Sequence, residues 1–167
     1  MKKQILIISV FFFTAILSTG CYTFQGNRID ASIETISIHY FPNQTNFVAT
    51  SLSQTFTEIL RDKFASETRL YLKDEGGDWE ISGAITQYAS TPIAPTGNET
   101  TALNRLTIGV KVDFVNHKNE KENWSQTFTR FEDYPSTQLL STVENNLIRT
   151  ISLQIADDIY LKSASDW

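Results

Sequence analysis

The stretch "ALNRLTIGVKVDFVN" at residues 102–116 carries the clearest strand signal in the chain. Apolar and polar residues alternate along it, so every second side chain would point to the same side of an extended strand. One face carries Leu106, Ile108, Val110, Val112 and Phe114, and the other carries Arg105, Thr107, Gly109, Lys111 and Asp113. The alternation predicts a strand with one buried face and one face that meets water or a partner.

A second strand is predicted directly after this one. The polar turn "HKNEKEN" (117–123) separates it from "WSQTFTRFE" (124–132), which would place Trp124, Gln126, Phe128 and Arg130 on one face. A connection this short joins antiparallel neighbours, so the two stretches predict part of an antiparallel meander.

Earlier segments add further strands. "TISIHYF" (35–41) alternates, with Ile36, Ile38 and Tyr40 predicted on one face. "RLYLKDEGGDWEISGAITQY" (69–88) predicts strand, turn and strand, with the turn at residues 74–77. Gly83 lies inside the second of these strands, where a glycine often marks a bulge or a close backbone approach.

Two helices are predicted from apolar residues at a spacing of three and four. The first runs from about residue 51 to 66, with Ser51 and Gln54 as a capping box. The second follows Pro135, begins at a capping box of Ser141 and Glu144 or earlier at Ser136, and ends near Lys162. The two predicted apolar stripes are Leu52, Phe56, Ile59, Leu60 and Phe64, and Leu140, Val143, Leu147, Ile151, Ile155 and Ile159.

These elements predict an α+β fold, a two-layer sandwich in which two amphipathic helices pack on one face of a small mixed or antiparallel sheet. The domain is expected to span residues 35–163, followed by a short C-terminal tail at 164–167. Residues 89–101, "ASTPIAPTGNETT", show no periodicity and contain two prolines, so they predict a long loop at one tip of the domain. Loops of this length in compact domains are often functional.

The N-terminal segment predicts export and lipidation. Two lysines precede an apolar run of about a dozen residues, which is typical of a signal peptide and short for a membrane span. "LSTGC" (17–21) resembles a bacterial lipobox, which predicts cleavage after residue 20, acylation of Cys21 and a tether over residues 21–34. The alternative is an ordinary signal peptide with a chance cysteine, but Cys21 is the only cysteine and has no disulfide partner.

Composition and motifs point away from nucleic-acid binding and from catalysis. Loss of residues 1–20 would leave 147 residues and change the formal net charge from −5 to −7, whereas a nucleic-acid partner favours a basic surface. His39 and His117 are not expected to come together, and no zinc-binding spacing occurs. Asp74, Glu75 and Asp78 fit a solvated turn better than a weak cation site. We therefore expect no metal, no cofactor and no enzyme activity.

Several segments resemble one protein family. "GCYTFQG", "ISIHYFPN", "LSQTFTEILRDKF" and "GNETTALNRLTIGVKVDF", followed by the C-terminal amphipathic helix, resemble the LptE lipopolysaccharide-assembly lipoproteins in a form like that of Bacteroidetes. The resemblance covers nearly all of the chain after Cys21. It implies a protein anchored in the inner leaflet of the outer membrane. Such a protein plugs the LptD β-barrel, helps that barrel to assemble and binds lipopolysaccharide during delivery to the cell surface.

The resemblance also implies basic residues near the central loop that contact the lipid, but residues 89–101 contain no lysine or arginine, so the candidate contact residues for the lipid or the partner are the nearest ones. They are Thr96 and Asn98 in the loop, Arg105 and Lys111 on the polar strand face, and Arg130 on the neighbouring strand. The basic residues could recognise phosphate groups, or they could be solvated surface charges. The sequence is also compatible with two alternatives to an LptD partner: a lipoprotein that binds another envelope protein or lipid, and a tethered periplasmic enzyme.

Overall fold

The computed structural model describes residues 29–47, 49–94 and 102–164. Its elements in chain order are β1 (Thr35–Ile38), α1 (Leu52–Glu67), β2 (Tyr71–Lys73), β3 (Trp79–Ile93), β4 (Leu103–Asn116), a short 3-10 helix (Glu120–Glu122), β5 (Trp124–Pro135) and α2 (Leu140–Ala164). The predicted signal peptide and Cys21 lie outside the described residues. Neither described helix combines the length and the apolarity that crossing a bilayer requires.

The five strands form one mixed sheet in the order β2-β1-β3-β4-β5. β1 pairs in parallel with both β2 and β3, and the antiparallel pairs β3–β4 and β4–β5 form the predicted meander. Both helices pack against this sheet, which confirms the predicted α+β class. The segment 69–88 does contain two strands, but they are not direct neighbours because β1 lies between them.

The connection from β2 to β3 crosses β1. Residues 74–78 pass over Ser37, whose side chain is fully buried although it points away from the helices. The Gly77 N–H donates to Ser37 Oγ over 2.8 Å. A Cβ atom at Gly77 would lie 2.5 Å from the Ser37 backbone nitrogen, so the crossing requires glycine at this position.

The hydrophobic core lies between the helices and one face of the sheet. All five residues of the predicted stripe on α1 are buried, as are the last three on α2, while the first three on α2 are half-buried. The predicted apolar face of β4 is at most 2% exposed throughout. Aromatic rings extend this core across three strands, with ring centroids 5.1 Å apart for Trp79 and Phe114 and 5.4 Å apart for Phe114 and Trp124.

The prediction for β1 is wrong at its end. The strand stops at Ile38, and Tyr40 is 58% exposed, whereas Phe41 is fully buried. The Phe41 N–H donates to Thr57 Oγ1 of α1 over 3.1 Å, and its ring meets Phe56 edge-on with centroids 5.0 Å apart. Once the chain leaves the sheet, contact with α1 determines which side chain is buried, and the strand alternation no longer applies.

Neither predicted capping box forms. Ser51 is the N-cap of α1, but its hydroxyl donates to the side chain of Asn145 instead of a backbone N–H of its own helix. Gln54 donates to Glu58. The second helix begins at Leu140, so Ser141 already lies within it. The side chains predicted to form local caps bond elsewhere: Ser51 to the other helix, Gln54 within α1, and Glu144 to the Tyr88 hydroxyl of β3.

The loop predicted at residues 89–101 is shorter than expected. β3 continues to Ile93, where Pro92 pairs with Asn104 and Ile93 pairs with Leu103. No described strand lies on the other side of β3 at this end, so the missing N–H of Pro92 does not disturb a central ladder. Residues 95–101 lie outside the described residues.

Candidate functional site: the open face of the sheet

The side of the sheet that faces away from both helices is called the open face. Strand register places on it Gln87, Ala89 and Thr91 of β3, Arg105, Thr107, Gly109, Lys111 and Asp113 of β4, and Ser125, Thr127, Thr129, Phe131 and Asp133 of β5. Most of these residues are polar, and all five on β5 are exposed. The open face is therefore a surface suited to a polar partner.

Arg105 lies flat on the open face. Its Nε is 2.7 Å from Asp133 Oδ1 and its Nη2 is 2.9 Å from Asp133 Oδ2, so the two side chains form a bidentate ion pair. The guanidinium carbon also lies 3.6 Å from the centroid of the Phe131 ring. The hydrogen bonds from Arg105 lower the pKa of Asp133. An anion that binds Arg105 must compete with this carboxylate or approach the remaining N–H groups.

Lys111 is the more accessible of the two predicted cations on the open face. Its Nζ is 3.9 Å from Asp113 Oδ2, and its side chain is 55% exposed. Lys111 and Arg105 are six residues apart on β4, which corresponds to a separation of about 20 Å along an extended strand. The two cations therefore belong to separate parts of the open face and do not line one pocket.

Arg130 lies on the opposite side of β5, next to α2. Its Nε and Nη2 each lie 2.6 Å from a carboxylate oxygen of Asp158. The fold thus separates the predicted set of basic residues, leaving Arg105 and Lys111 on the open face and Arg130 on the side of the helices. Thr96 and Asn98 lie outside the described residues. They belong to the segment between the end of β3 and the start of β4, which is the end of β4 that carries Arg105.

The fold brings the two histidines to one carboxylate, contrary to the prediction that they would not come together. His39 Nε2 lies 2.9 Å from Glu80 Oε1, and His117 Nε2 lies 3.1 Å from Glu80 Oε2. The hydrogen bond from His117, joined by that from His39, lowers the pKa of Glu80. Only strand register reveals this cluster, because its members come from the ends of β1 and β4 and the start of β3. The described residues contain no group of three or more side chains arranged to hold a metal ion.

Asp78 fastens the crossing connection to β1. Its Oδ2 accepts hydrogen bonds from the Glu34 N–H at 3.0 Å, the Thr35 N–H at 3.0 Å and Thr35 Oγ1 at 2.9 Å. Lys118 Nζ lies 3.1 Å from the other oxygen. The backbone hydrogen bond from Glu34 is the largest cause of the lowered pKa of Asp78. The acidic residue that was considered for a weak cation site therefore has a structural role.

Residues 33–163 match the model of a known protein family, LptE, whose description is "Lipopolysaccharide-assembly". The chain belongs to the LptE family. No curated protein sequence matches the chain significantly.

Solved structures of lipoproteins share the fold. Rare lipoprotein B from Shewanella oneidensis is 13% identical with a TM-score of 0.56, and the alignment covers 78% of this chain and 94% of that one. A minor lipoprotein from Acinetobacter baumannii is 13% identical with a TM-score of 0.52, covering 79% of this chain and 94% of that one. At this identity the structures support the fold alone.

The LptE family match extends from just before β1 almost to the end of α2, so it includes the whole sheet and both helices. The family is a non-enzymatic group of lipopolysaccharide-assembly lipoproteins.

Proposed function

We propose that this LptE-family protein is an outer-membrane lipoprotein that plugs the LptD β-barrel, assists its assembly and helps to deliver lipopolysaccharide to the cell surface. The family match over residues 33–163 is the observation that carries the proposal. A plug meets the polar interior of a barrel, so it needs a compact body with a polar surface. The open face supports this role because its described residues are mostly polar and those on β5 are exposed.

The membrane anchor in this proposal is acylated Cys21. Stable anchoring takes at least two membrane signals, and several acyl chains on one residue meet that requirement. Ile29 packs against the core and lies eight residues after Cys21, so only residues 22–28 separate the acylated position from the folded domain. Eight residues span at most about 28 Å when fully extended, which would hold the domain close to the inner leaflet.

The proposed contact with the lipid or the barrel lies at the Arg105 end of the open face. This end adjoins the segment that contains Thr96 and Asn98, and Lys111 offers a second, exposed ammonium group farther along β4. Arg105 presents a fixed guanidinium whose planar donors suit two oxygens of a phosphate group, once the phosphate displaces the Asp133 carboxylate. Lys111 would act as a flexible point charge.

Co-purification tests the partner. Tagged protein extracted in mild detergent should recover a large outer-membrane barrel. Thr107→Trp places a bulky ring on β4, between β3 and β5 of the open face, and should reduce that recovery, whereas Thr150→Trp is the matched change on an exposed position of α2 and should not. Failure of the unaltered protein to recover a barrel would overturn the LptD proposal, and recovery of a different envelope protein would favour that partner.

Depletion tests the role in lipopolysaccharide delivery. Cells that lose the protein should contain less folded LptD and expose less lipopolysaccharide, since the proposed function includes barrel assembly. Normal levels of both after depletion would contradict the proposal.

Metabolic labelling tests the anchor. Radiolabelled palmitate should enter the protein, and Cys21→Ser should abolish labelling and release the protein from the membrane fraction. A Cys21→Ser protein that matures and localises normally would show that the cysteine does not serve as the anchor.

A further inference from the structure

The outer edge of β5 is a long row of backbone groups without a strand beside it. β5 is the last strand of the sheet and spans twelve residues. Within the part of the chain that the structure describes, β4 is the only strand that pairs with it, and the Pro135 C=O at its end accepts from the Gln138 N–H. An edge strand of this kind presents outward N–H and C=O groups that another extended chain can satisfy.

The opposite edge of the sheet differs in this respect. β2 has three residues and carries Lys73, and short strands and lysines are usual means of preventing unwanted strand pairing. β5 has no lysine, its one proline is the final residue, and its register with β4 continues without a bulge from Trp124 to Pro135. β5 therefore lacks a short length, a lysine and a bulge, and the charged residues that it does carry are Arg130, Glu132 and Asp133.

A groove runs along this edge, between β5 and the C-terminal half of α2. It has a volume of about 540 Å³ and is lined by Gln126, Thr127, Phe128, Thr129, Arg130, Asp158, Leu161 and Lys162. Arg130 and Asp158 form their ion pair within it. Lys162 Nζ lies 5.4 Å from the centroid of the Trp124 ring, and no ion pair among the described residues includes Lys162.

We propose that this groove binds an extended, acidic segment of a partner protein, which adds to β5 as a further strand. The free backbone edge specifies an extended occupant, because only such a chain can match alternating donors and acceptors. The lining contains two cations, Arg130 and Lys162, against one carboxylate, Asp158, although the chain as a whole has a net charge of −5. This local excess of positive charge favours acidic side chains on the bound segment.

Charge also argues against a second copy of the chain as the occupant. Two β5 strands paired antiparallel would bring two copies of the same cationic lining to one interface, and like charges in proximity oppose association. The proposal concerns the β5 edge and does not depend on LptD binding, which we assign to the open face.

Binding of designed peptides to the full chain tests the proposal. The probe is a capped eight-residue peptide that alternates valine and glutamate, and the control alternates valine and lysine. Amide NMR signals of residues 126–130 should shift with the acidic probe and change little with the basic one. Shifts confined to other regions, or no binding of the acidic probe at millimolar concentration, would overturn the proposal.

Backbone methylation of the probe separates strand addition from side-chain attraction. Two versions carry N-methyl groups on alternate residues, either at odd or at even positions. Only one edge of an added strand faces β5, so one version should lose binding and the other should retain it. Equal binding of the two versions would show that the peptide does not pair through its backbone.

Lys162→Glu should weaken the acidic probe about fivefold, as expected for loss and reversal of one partly exposed charge. Lys73→Glu makes the same change on the opposite edge strand and should leave the affinity unchanged. Equal effects of the two substitutions would mean that the peptide responds only to the net charge of the protein, which would contradict a site in the groove. A concentration-dependent dimer that blocks the probe would instead assign the β5 edge to self-association.

Discussion

The two faces of β4 share one backbone but differ in what surrounds them. Toward the helices, Ile108 and Val110 are fully buried, whereas on the open face Thr107 is half-buried and Lys111 is exposed. Burial of apolar surface supplies most of the stabilising free energy of a fold. We therefore expect residues on the helix side of the sheet to determine stability. Residues on the open face should be replaceable at little cost in stability, which leaves them available for contacts with a partner.

The crossing connection is the exception on the open side of the sheet. Residues 74–78 cover β1 there, and Ser37 is buried beneath Gly77. Here the side of the sheet away from the helices is also packed. The comparison of the faces therefore applies to β4 and β5 and ends where the connection begins.

The largest effect is expected at Gly83, where β3 passes very close to its neighbours. A Cβ atom there would lie 2.0 Å from the Lys111 carbonyl oxygen and 2.7 Å from Phe41 Cε1. Gly83→Ala should cost more than about 4 kcal/mol or prevent folding, because the backbone of β4 cannot move away cheaply. Chemical denaturation followed by circular dichroism measures the loss, and a well-folded variant would contradict the close approach.

A matched pair of neighbouring residues tests the comparison directly. Ile108→Ala should lower the free energy of unfolding by about 2–5 kcal/mol, since it removes buried methyl groups and leaves a cavity. Thr107→Ala, on the open face, should change it by no more than about 0.5 kcal/mol. Urea denaturation of both variants supplies the measurement, and equal losses would show that the open face is also part of the core.

Asp78 should make the crossing connection sensitive to acid. Its pKa is lowered in the folded state, so the stabilisation that it contributes is present above about pH 4 and is lost as the pH falls through the lowered folded value. Asp78→Asn should reduce stability by about 2 kcal/mol at pH 7, because the neutral amide binds the backbone N–H groups less strongly. The free energy of unfolding, measured from pH 7 to pH 3, should decline less for the variant than for the unaltered protein. Parallel curves would show that the Asp78 carboxyl does not cause the acid sensitivity.

The smallest effect on stability is expected at Lys111. Lys111→Ala removes an exposed side chain with only a 3.9 Å ion pair, so the unfolding free energy should change by less than about 0.5 kcal/mol. If the residue meets a phosphate in the proposed function, binding of purified lipopolysaccharide should nevertheless weaken. Lys118→Ala is a control on a separate turn, and equal weakening by both would indicate non-specific charge attraction.

The sequence predicted the elements in which periodicity is strong. The buried stripe of α1, the buried face of β4 and the shared face of Trp124, Phe128 and Arg130 on β5 follow from spacings of three, four and two residues. The sequence also placed Arg105 and Lys111 on the open face. These predictions succeed because the burial of one side requires a repeating pattern within a single segment.

The sequence could not predict features that depend on two distant segments. The Glu80 cluster joins residues from three places in the chain, and Phe41 is buried because α1 happens to cover it. The same applies to the order of β2 and β1, since a short connection between β2 and β3 suggests a hairpin where the fold forms a crossing.

The amino-acid sequence alone determined the strongly periodic elements, which are α1, β4, β5 and most of α2, and the side of each that avoids water, because this information repeats within a few residues. Tertiary structure alone decided that β1 enters between β2 and β3, that Arg130 pairs with Asp158 and not with a ligand on the open face, and that β5 ends the sheet beside a groove. Each of these outcomes depends on register and on contacts between residues far apart in the chain. These contacts stabilise the protein only once the segments have packed together.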